Sequence, residues 1–362
     1  MIYLDHAATT PICEAAKQAI INNLNYFGNP SSSHNIGHQA KMFIEDARER
    51  IAQCINAEPE EIYFCSGGSE ANTWALRNKT CLTSKIEHHS NCGKWWFDAH
   101  NGVVDQYTFE EYMSVVPYLH SYQQLISCMY VNNEIGTIQP IKDLVRISHA
   151  YNMFFHTDAV QAMSCLTVDV KNLDVDMLSA SGHKFGAPKG VGFLYVKNGV
   201  QIHSLIYGGK QELGKRGGTE NVLGIIAMAA ALEDSIINME ERHKHIVTMR
   251  NILLPCLLNI DGVYLNGPIA NRVASNIIVR ISGDKGQDVV AMADQYGICI
   301  SAGSACNEGN AEPSHVLKAI GLTDEEALSS IRITLGHENT FDEIQYVCDI
   351  LPKIIARLRQ IN

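Results

Sequence analysis

Apolar positions along this chain fall into two alternating rhythms: short continuous runs, and longer stretches with apolar residues three and four apart. Between Gly37 and Cys54, Ala40, Phe43, Ile44, Ala47 and Ile51 keep helical spacing, and a turn over residues 56–60 follows. A short strand over 61–65 then runs into Ser66-Gly67-Gly68-Ser69-Glu70-Ala71. Residues 126–131 predict a buried strand, 141–151 a helix, 153–157 a strand ending at Asp158, and 191–196 a further apolar segment. Strands alternating with helices predict an α/β fold with a mostly parallel sheet covered by helices on both faces.

Towards the C-terminus the pattern predicts one long helix over 222–245, its Ala- and Ile-rich first half buried, bridging to a smaller domain. A strand over 274–281, a helix beginning near Gln287 and a final helix over 341–359 complete that domain, with Pro352 expected to bend the last helix. The expected division is a large domain over 1–245 and a small α+β domain over 246–362, with segment 1–30 packing against the small one. No internal repeat, low-complexity tract or Pro/Ser-rich linker marks the boundary.

Composition adds exclusions. The 362 residues suffice for two domains, and 46% hydrophobic residues can fill more than one core. A net charge of −11, from 28 basic and 39 acidic side chains, argues against broad affinity for nucleic acid or anionic membranes. The longest apolar stretches, such as 225–232, fall far short of the roughly 20 residues that span a bilayer. Asp5 and His6 interrupt the start and no basic segment precedes an apolar one, so a secretory signal is not expected and the protein is placed in the cytoplasm. Eleven cysteines are scattered without a CxxC pair, which reads as reduced and mostly structural thiols. Cys299, closing an apolar run, is expected in the core. His34 and His38 stand four apart as metal ligands can, but Gly37 between them and the adjoining Asn-Pro-Ser-Ser loop favour a non-metal role.

Three local signals carry candidate chemistry. In Ser179-Ala180-Ser181-Gly182-His183-Lys184 a lysine follows a small, hydroxyl-bearing strand-like segment, where burial could lower its pKa as Schiff-base chemistry requires. Taken alone, Lys184 would be a solvated surface charge. Asp158, in Asp158-Ala159-Val160-Gln161 at a strand end, offers a carboxylate suited to a pyridine nitrogen, with a helix N-cap as the equal alternative. The Ser66–Ala71 turn, after a strand and before a helix, resembles a phosphate cradle and matches neither the P-loop nor the dinucleotide fingerprint.

Together these residues, in this order, resemble the class-V aminotransferase-like enzymes that use pyridoxal 5'-phosphate, and among them the cysteine desulfurases. The resemblance covers almost the whole chain. It runs through Tyr3-Leu4-Asp5-His6-Ala7-Ala8-Thr9-Thr10-Pro11, Gly28-Asn29-Pro30-Ser31-Ser32, Val131-Asn132-Asn133-Glu134-Ile135-Gly136, Ser181-Gly182-His183-Lys184, Arg216-Gly217-Gly218-Thr219-Glu220-Asn221 and Ser301-Ala302-Gly303-Ser304-Ala305-Cys306. It implies the aspartate aminotransferase-like fold and a homodimer.

By the same resemblance, Lys184 carries the cofactor, Asp158 pairs with its ring nitrogen and Gln161 reaches its phenolic oxygen. His88, rather than His89, stacks on the ring and exchanges protons with substrate. Gly68, Ser69, Ser181 and His183 hold the phosphate, with Thr219 supplied across the dimer interface. Asn133 contacts cofactor or substrate, and Arg332 clamps the substrate carboxylate through a planar bidentate fork. Cys306, in the small and flexible segment 303–309, receives the sulfur. The implied sequence is exchange of the lysine for the amine of L-cysteine, Cα deprotonation by the freed Lys184, and attack of the Cys306 thiolate on the substrate sulfur, with His88 or a nearby cation assisting formation of that thiolate.

Alanine leaves and a persulfide remains, ready for a sulfur-acceptor protein in iron-sulfur cluster assembly, tRNA thiolation or related trafficking. The loop's form is similar to the desulfurase group with a long, mobile catalytic segment. Departures are Asn307-Glu308 after the cysteine and a short stretch between Ala71 and Glu87. Another class-V activity, such as an aminotransferase or selenocysteine lyase, is the alternative, and in it Cys306 would be dispensable.

Overall fold

A computed structural model describes residues 1–91, 95–115, 124–307 and 310–361. The N-terminal half contains, in chain order, strands β1 (Ile2–Tyr3), β2 (Ile62–Cys65), β3 (Thr80–Ser84), β4 (Trp95–Phe97), β5 (Gln124–Ser127), β6 (Phe154–Asp158), β7 (Met177–Ser181) and β8 (Gly192–Val196). Its helices are α1 (Glu14–Asn23), α2 (Asn35–Cys54), α3 (Gly68–Leu76), α4 (Gln106–Val115), α5 (Ile141–Ala150), α6 (Val170–Leu173) and α7 (Val222–Ile237). The remainder holds β9 (Val263–Leu265), β10 (Asn276–Ile281), β11 (Ile298–Cys299), β12 (Ser301–Ala302), β13 (Ser304–Asn307), β14 (Asn310–Pro313) and β15 (Ser330–Thr334). With them are α8 (Met239–Leu258), α9 (Gly286–Gln295), α10 (His315–Ala319), α11 (Asp324–Leu328) and α12 (Phe341–Ile361), the last one helix through Pro352.

Among the described residues the main sheet has seven strands in the order β2-β8-β7-β6-β5-β3-β4. The run from β7 to β4 is parallel and β8 is antiparallel to both its neighbours. Side chains alternate between faces, as a period of two requires. Ile62, Phe64, Leu82, Ile126, Phe155, Leu178 and Phe193 enter one core with α2, α5 and α7. Cys65, Cys81, Leu125, Met177 and Leu194 enter another, under Trp74 of α3. Both faces are therefore covered. A third core lies over the four-stranded sheet β12-β15-β10-β9, against α8, α9 and α12, and it takes in Ile2 and Leu4 from the N-terminus.

Two expectations are corrected. The helix expected over 222–245 is two helices bent by 67° at Asn238. There the Asn238 amide donates to both the carbonyl and the carboxylate of Asp234, each at 2.9 Å, and the side chain takes over bonding the helix would have continued. The strand expected over 126–131 ends at Ser127. Its neighbour β3 stops at Ser84, and the Met129 N–H is taken instead by the Glu87 carboxylate at 2.9 Å. His34 caps α2, its Nδ1 accepting the Gly37 N–H at 3.2 Å. Among the described residues no single helix is long and apolar enough to cross a membrane.

Candidate active site

The parallel sheet delivers its functional groups where its strands end. Asp158 closes β6, Lys184 sits in the helical turn after β7, and His88 follows β3 by four residues. These carboxyl ends face a cavity of about 340 Å³, within the roughly 300–1,000 Å³ of small-molecule sites. Gly68, Ser69, His88, Asn133, Asp158, Gln161, Ser181, His183, Lys184 and Arg332 all line it. Thr219 does not; it is exposed on the loop before α7. Cys306 lies on β13, paired with Ala311 of β14 in a two-stranded hairpin. Its side chain, with residues 308–309, lies outside the described residues.

The Lys184 ammonium donates to the carbonyls of Ala7 and Ala8 at 2.5 and 2.8 Å. Burial, followed by the Arg332 charge, pulls its pKa down to about 8 against the raising effects of Asp5 and Asp158. About a tenth is therefore the neutral, nucleophilic amine at pH 7, far more than for an ordinary lysine.

Asp158 is buried, with one oxygen accepting the Val160 N–H at 2.9 Å and the other an Asn72 amide proton at 2.6 Å. Burial pushes its pKa up, while those two donors and the charges of His88 and Lys184 pull it down. His88 is lowered, chiefly by burial, and its Nδ1 lies 2.7 Å from the Ser90 hydroxyl. Beneath it, burial raises Glu87 to about 8 despite hydrogen bonds from Ser84, Met129 and Asn91.

Arg332, on β15, donates to the Asn133 carbonyl at 3.0 Å and to Asp5 at 2.8 Å. Its Nε is buried without a partner, a costly state unless an acceptor arrives. On the same cavity, α3 begins at Gly68 with Gly67 as its N-cap, which places no side-chain cap on the helix. Its first N–H groups are left for an anion. A Cβ on residue 68 would stand 2.6 Å from Val160 Cγ2, so only glycine lets the backbone approach here. Ser181, close to Gly68, and His183 also line the cavity, the latter pushed down to about 4 by burial and by Lys184 and Lys189.

The sequence reading passed over Asp5, Asn72, Ser90 and Met129. Asp5 was visible inside a quoted motif but without a role. Asn72 lies one turn into α3 on the face towards Asp158, a relation helical spacing alone could have suggested.

A model of the family described as aminotransferase class-V matches residues 2–347. The cysteine desulfurase IscS of Dictyoglomus turgidum is 42% identical over all of this chain and 96% of its own length. The chain belongs to the cysteine desulfurase branch of the class-V aminotransferase family. A NifS-like protein from Rickettsia africae superposes on this desulfurase-family fold with a TM-score of 0.90 at 31% identity, covering 98% of this chain and 99% of the other. A structure titled SspA in complex with cysteine gives a TM-score of 0.79 at 32% identity, over 94% of this chain and all of that one.

Members of this desulfurase family depend on pyridoxal phosphate, and the cavity fits it. The uncapped helix start and the Gly68 approach suit its phosphate, and a buried carboxylate suits its ring nitrogen. Between them stands a lysine of lowered pKa.

Proposed function

We propose that this enzyme removes the sulfur of L-cysteine, releases L-alanine and leaves the sulfur as a persulfide on Cys306 for a protein acceptor. One observation carries the reading. A lysine with a pKa of about 8 shares one cavity with a buried carboxylate and with a guanidinium whose Nε is buried and unpartnered.

When bound, pyridoxal phosphate supplies an electron sink for the carbanion formed at the substrate Cα. Gly68, Ser69, Ser181 and His183 would hold its phosphate, with Thr219 of the partner subunit, and Asp158 its ring nitrogen. Gln161, whose amide now donates to the Ala7 carbonyl at 2.9 Å, would turn to its phenolic oxygen, and His88 would stack on the ring. Asn133 would contact cofactor or substrate.

The chain's own work then divides by residue. Arg332 takes the substrate carboxylate and sets the register of the amino acid. Lys184 Nζ, as the free amine, takes the Cα proton. Cys306, as thiolate, attacks the substrate sulfur; the S–S bond forms as the Cβ–S bond breaks, the electron pair left on Cβ collects a proton, and Lys184 returns a proton to Cα to give alanine.

The exposed position of Thr219 and the exposed Phe27, Met42, Tyr207 and Leu213 support a homodimer in which it completes its neighbour's site. The core over the four-stranded sheet, drawn from residues 249–358 together with Ile2 and Leu4, supports a division into a large domain over 1–245 and a small one over 246–362 against which the N-terminal strand packs. A cytoplasmic home, where thiols stay reduced, suits a free nucleophilic cysteine.

Native mass spectrometry after treatment with L-cysteine is expected to show a dimer gaining one sulfur per chain on the peptide carrying Cys306. A monomer would overturn the subunit arrangement, and sulfur on another cysteine would overturn the role of Cys306.

A further inference from the structure

We propose that Ser90 fixes the tautomer of His88, so that the ring keeps its proton on Nε2 and serves the cavity as a hydrogen-bond donor, not as a base. The directions of four hydrogen bonds lead there.

The backbone N–H of Ser90 donates to His88 Nδ1 at 3.1 Å. A nitrogen that accepts this bond has a lone pair and no proton. The Ser90 hydroxyl lies 2.7 Å from the same Nδ1, so its O–H must donate to it as well. The hydroxyl oxygen in turn accepts an Asn72 amide proton at 3.0 Å. The second amide proton of Asn72 goes to Asp158 at 2.6 Å. Both Asn72 hydrogens are therefore used, and the serine proton has one direction left. The chain runs without a reversible link from the buried carboxylate to the imidazole.

The neutral imidazole carries a single proton, and with Nδ1 accepting it sits on Nε2. Burial, more than the charges around it, keeps the ring neutral. Lys184 after β7, the adjacent His89 and His315 at the start of α10 oppose a second proton, with burial the larger influence, and Asp158 at the end of β6 favours one. A ring held this way cannot take a proton at Nε2. The assistance with deprotonation that the sequence suggested for His88 falls to Lys184 Nζ, and His88 donates Nε2–H to the substrate. Ser90 is thus a positioning residue, and Asn72 ties its orientation to Asp158. Its effect on turnover rests on the desulfurase reading; the tautomer itself does not.

The test combines nitrogen-15 NMR of histidine-labelled holoenzyme with the pH profile of alanine release. Wild type is expected to show His88 with Nδ1 unprotonated and Nε2 protonated. Ser90→Ala, which keeps the backbone N–H on Nδ1 but loses the hydroxyl donor, should weaken the preference for the Nε2–H tautomer, lower kcat roughly three- to tenfold with little change in KM, and move the acid limb of kcat/KM up by roughly half to one pH unit. The direction follows because the lost donor stabilised the neutral ring. Ser90→Thr, which keeps a hydroxyl, should restore both. A wild-type His88 protonated on Nδ1, or a Ser90→Ala enzyme with unchanged kcat and pH profile, would overturn the proposal. A wild type that shows the tautomer but releases no alanine would instead remove the desulfurase reading.

Discussion

The Arg332 guanidinium is already held at two points, by Asp5 and by the Asn133 carbonyl, on the wall of the cavity, and its Nε is buried with nothing to bond. A lysine at this position could reach one oxygen of a substrate carboxylate but could not keep both anchors and a directed third donor. Arg332→Lys is therefore expected to raise KM for L-cysteine roughly ten- to hundredfold, as losing a hydrogen bond to a charged group implies. Steady-state kinetics checks this, and an unchanged KM would place the substrate carboxylate elsewhere. Arg332 itself was legible as a candidate from its motif, but Asp5 was not. The two stand 327 residues apart, and no local pattern expresses a pairing across that distance.

At the level of elements, the early ends of β3 and β5 open the site. Where β5 loses its neighbour, Glu87 takes the Met129 N–H, and burial holds the carboxyl protonated up to about pH 8. In the unfolded chain the same group loses its proton at about pH 4.3. Between those values the folded chain binds the extra proton, so this group's contribution to stability falls as pH rises through that window. Glu87→Gln removes the titration. Urea unfolding of the apoprotein at pH 5 and pH 8 should show the variant gaining on wild type at the higher pH, and a constant gap would contradict this account. The sequence could not show where β5 ends, because residues 128–131 are as apolar as the strand before them and the interruption comes from a carboxylate on the loop that follows β3. Asn238 is a related case. The apolar period continues past it, and only its side-chain bonds to Asp234 show why the helix breaks.

Across the whole molecule, the alternation of strands and helices forecast the covered parallel sheet, because side-chain period and burial are written in each segment separately. Ten of the expected site residues come from several separate elements and loops yet line one cavity, as strand ends in a parallel sheet allow. Motif order conveyed that convergence; the hydrogen bonds behind it, from Asn72, Ser90 and Asp5, are tertiary and became visible only in the fold. The central claim, that Lys184 and Cys306 act in one reaction on L-cysteine, joins a residue of the large sheet to one on the β13–β14 hairpin.

The most direct test is release of alanine and sulfide from L-cysteine with reductant, comparing wild type, Cys306→Ala and Lys184→Ala. Equal amounts of both products from wild type, with neither variant turning over, is the predicted result. A Cys306→Ala enzyme that keeps the wild-type rate would contradict it and make direct elimination the better description of the chemistry.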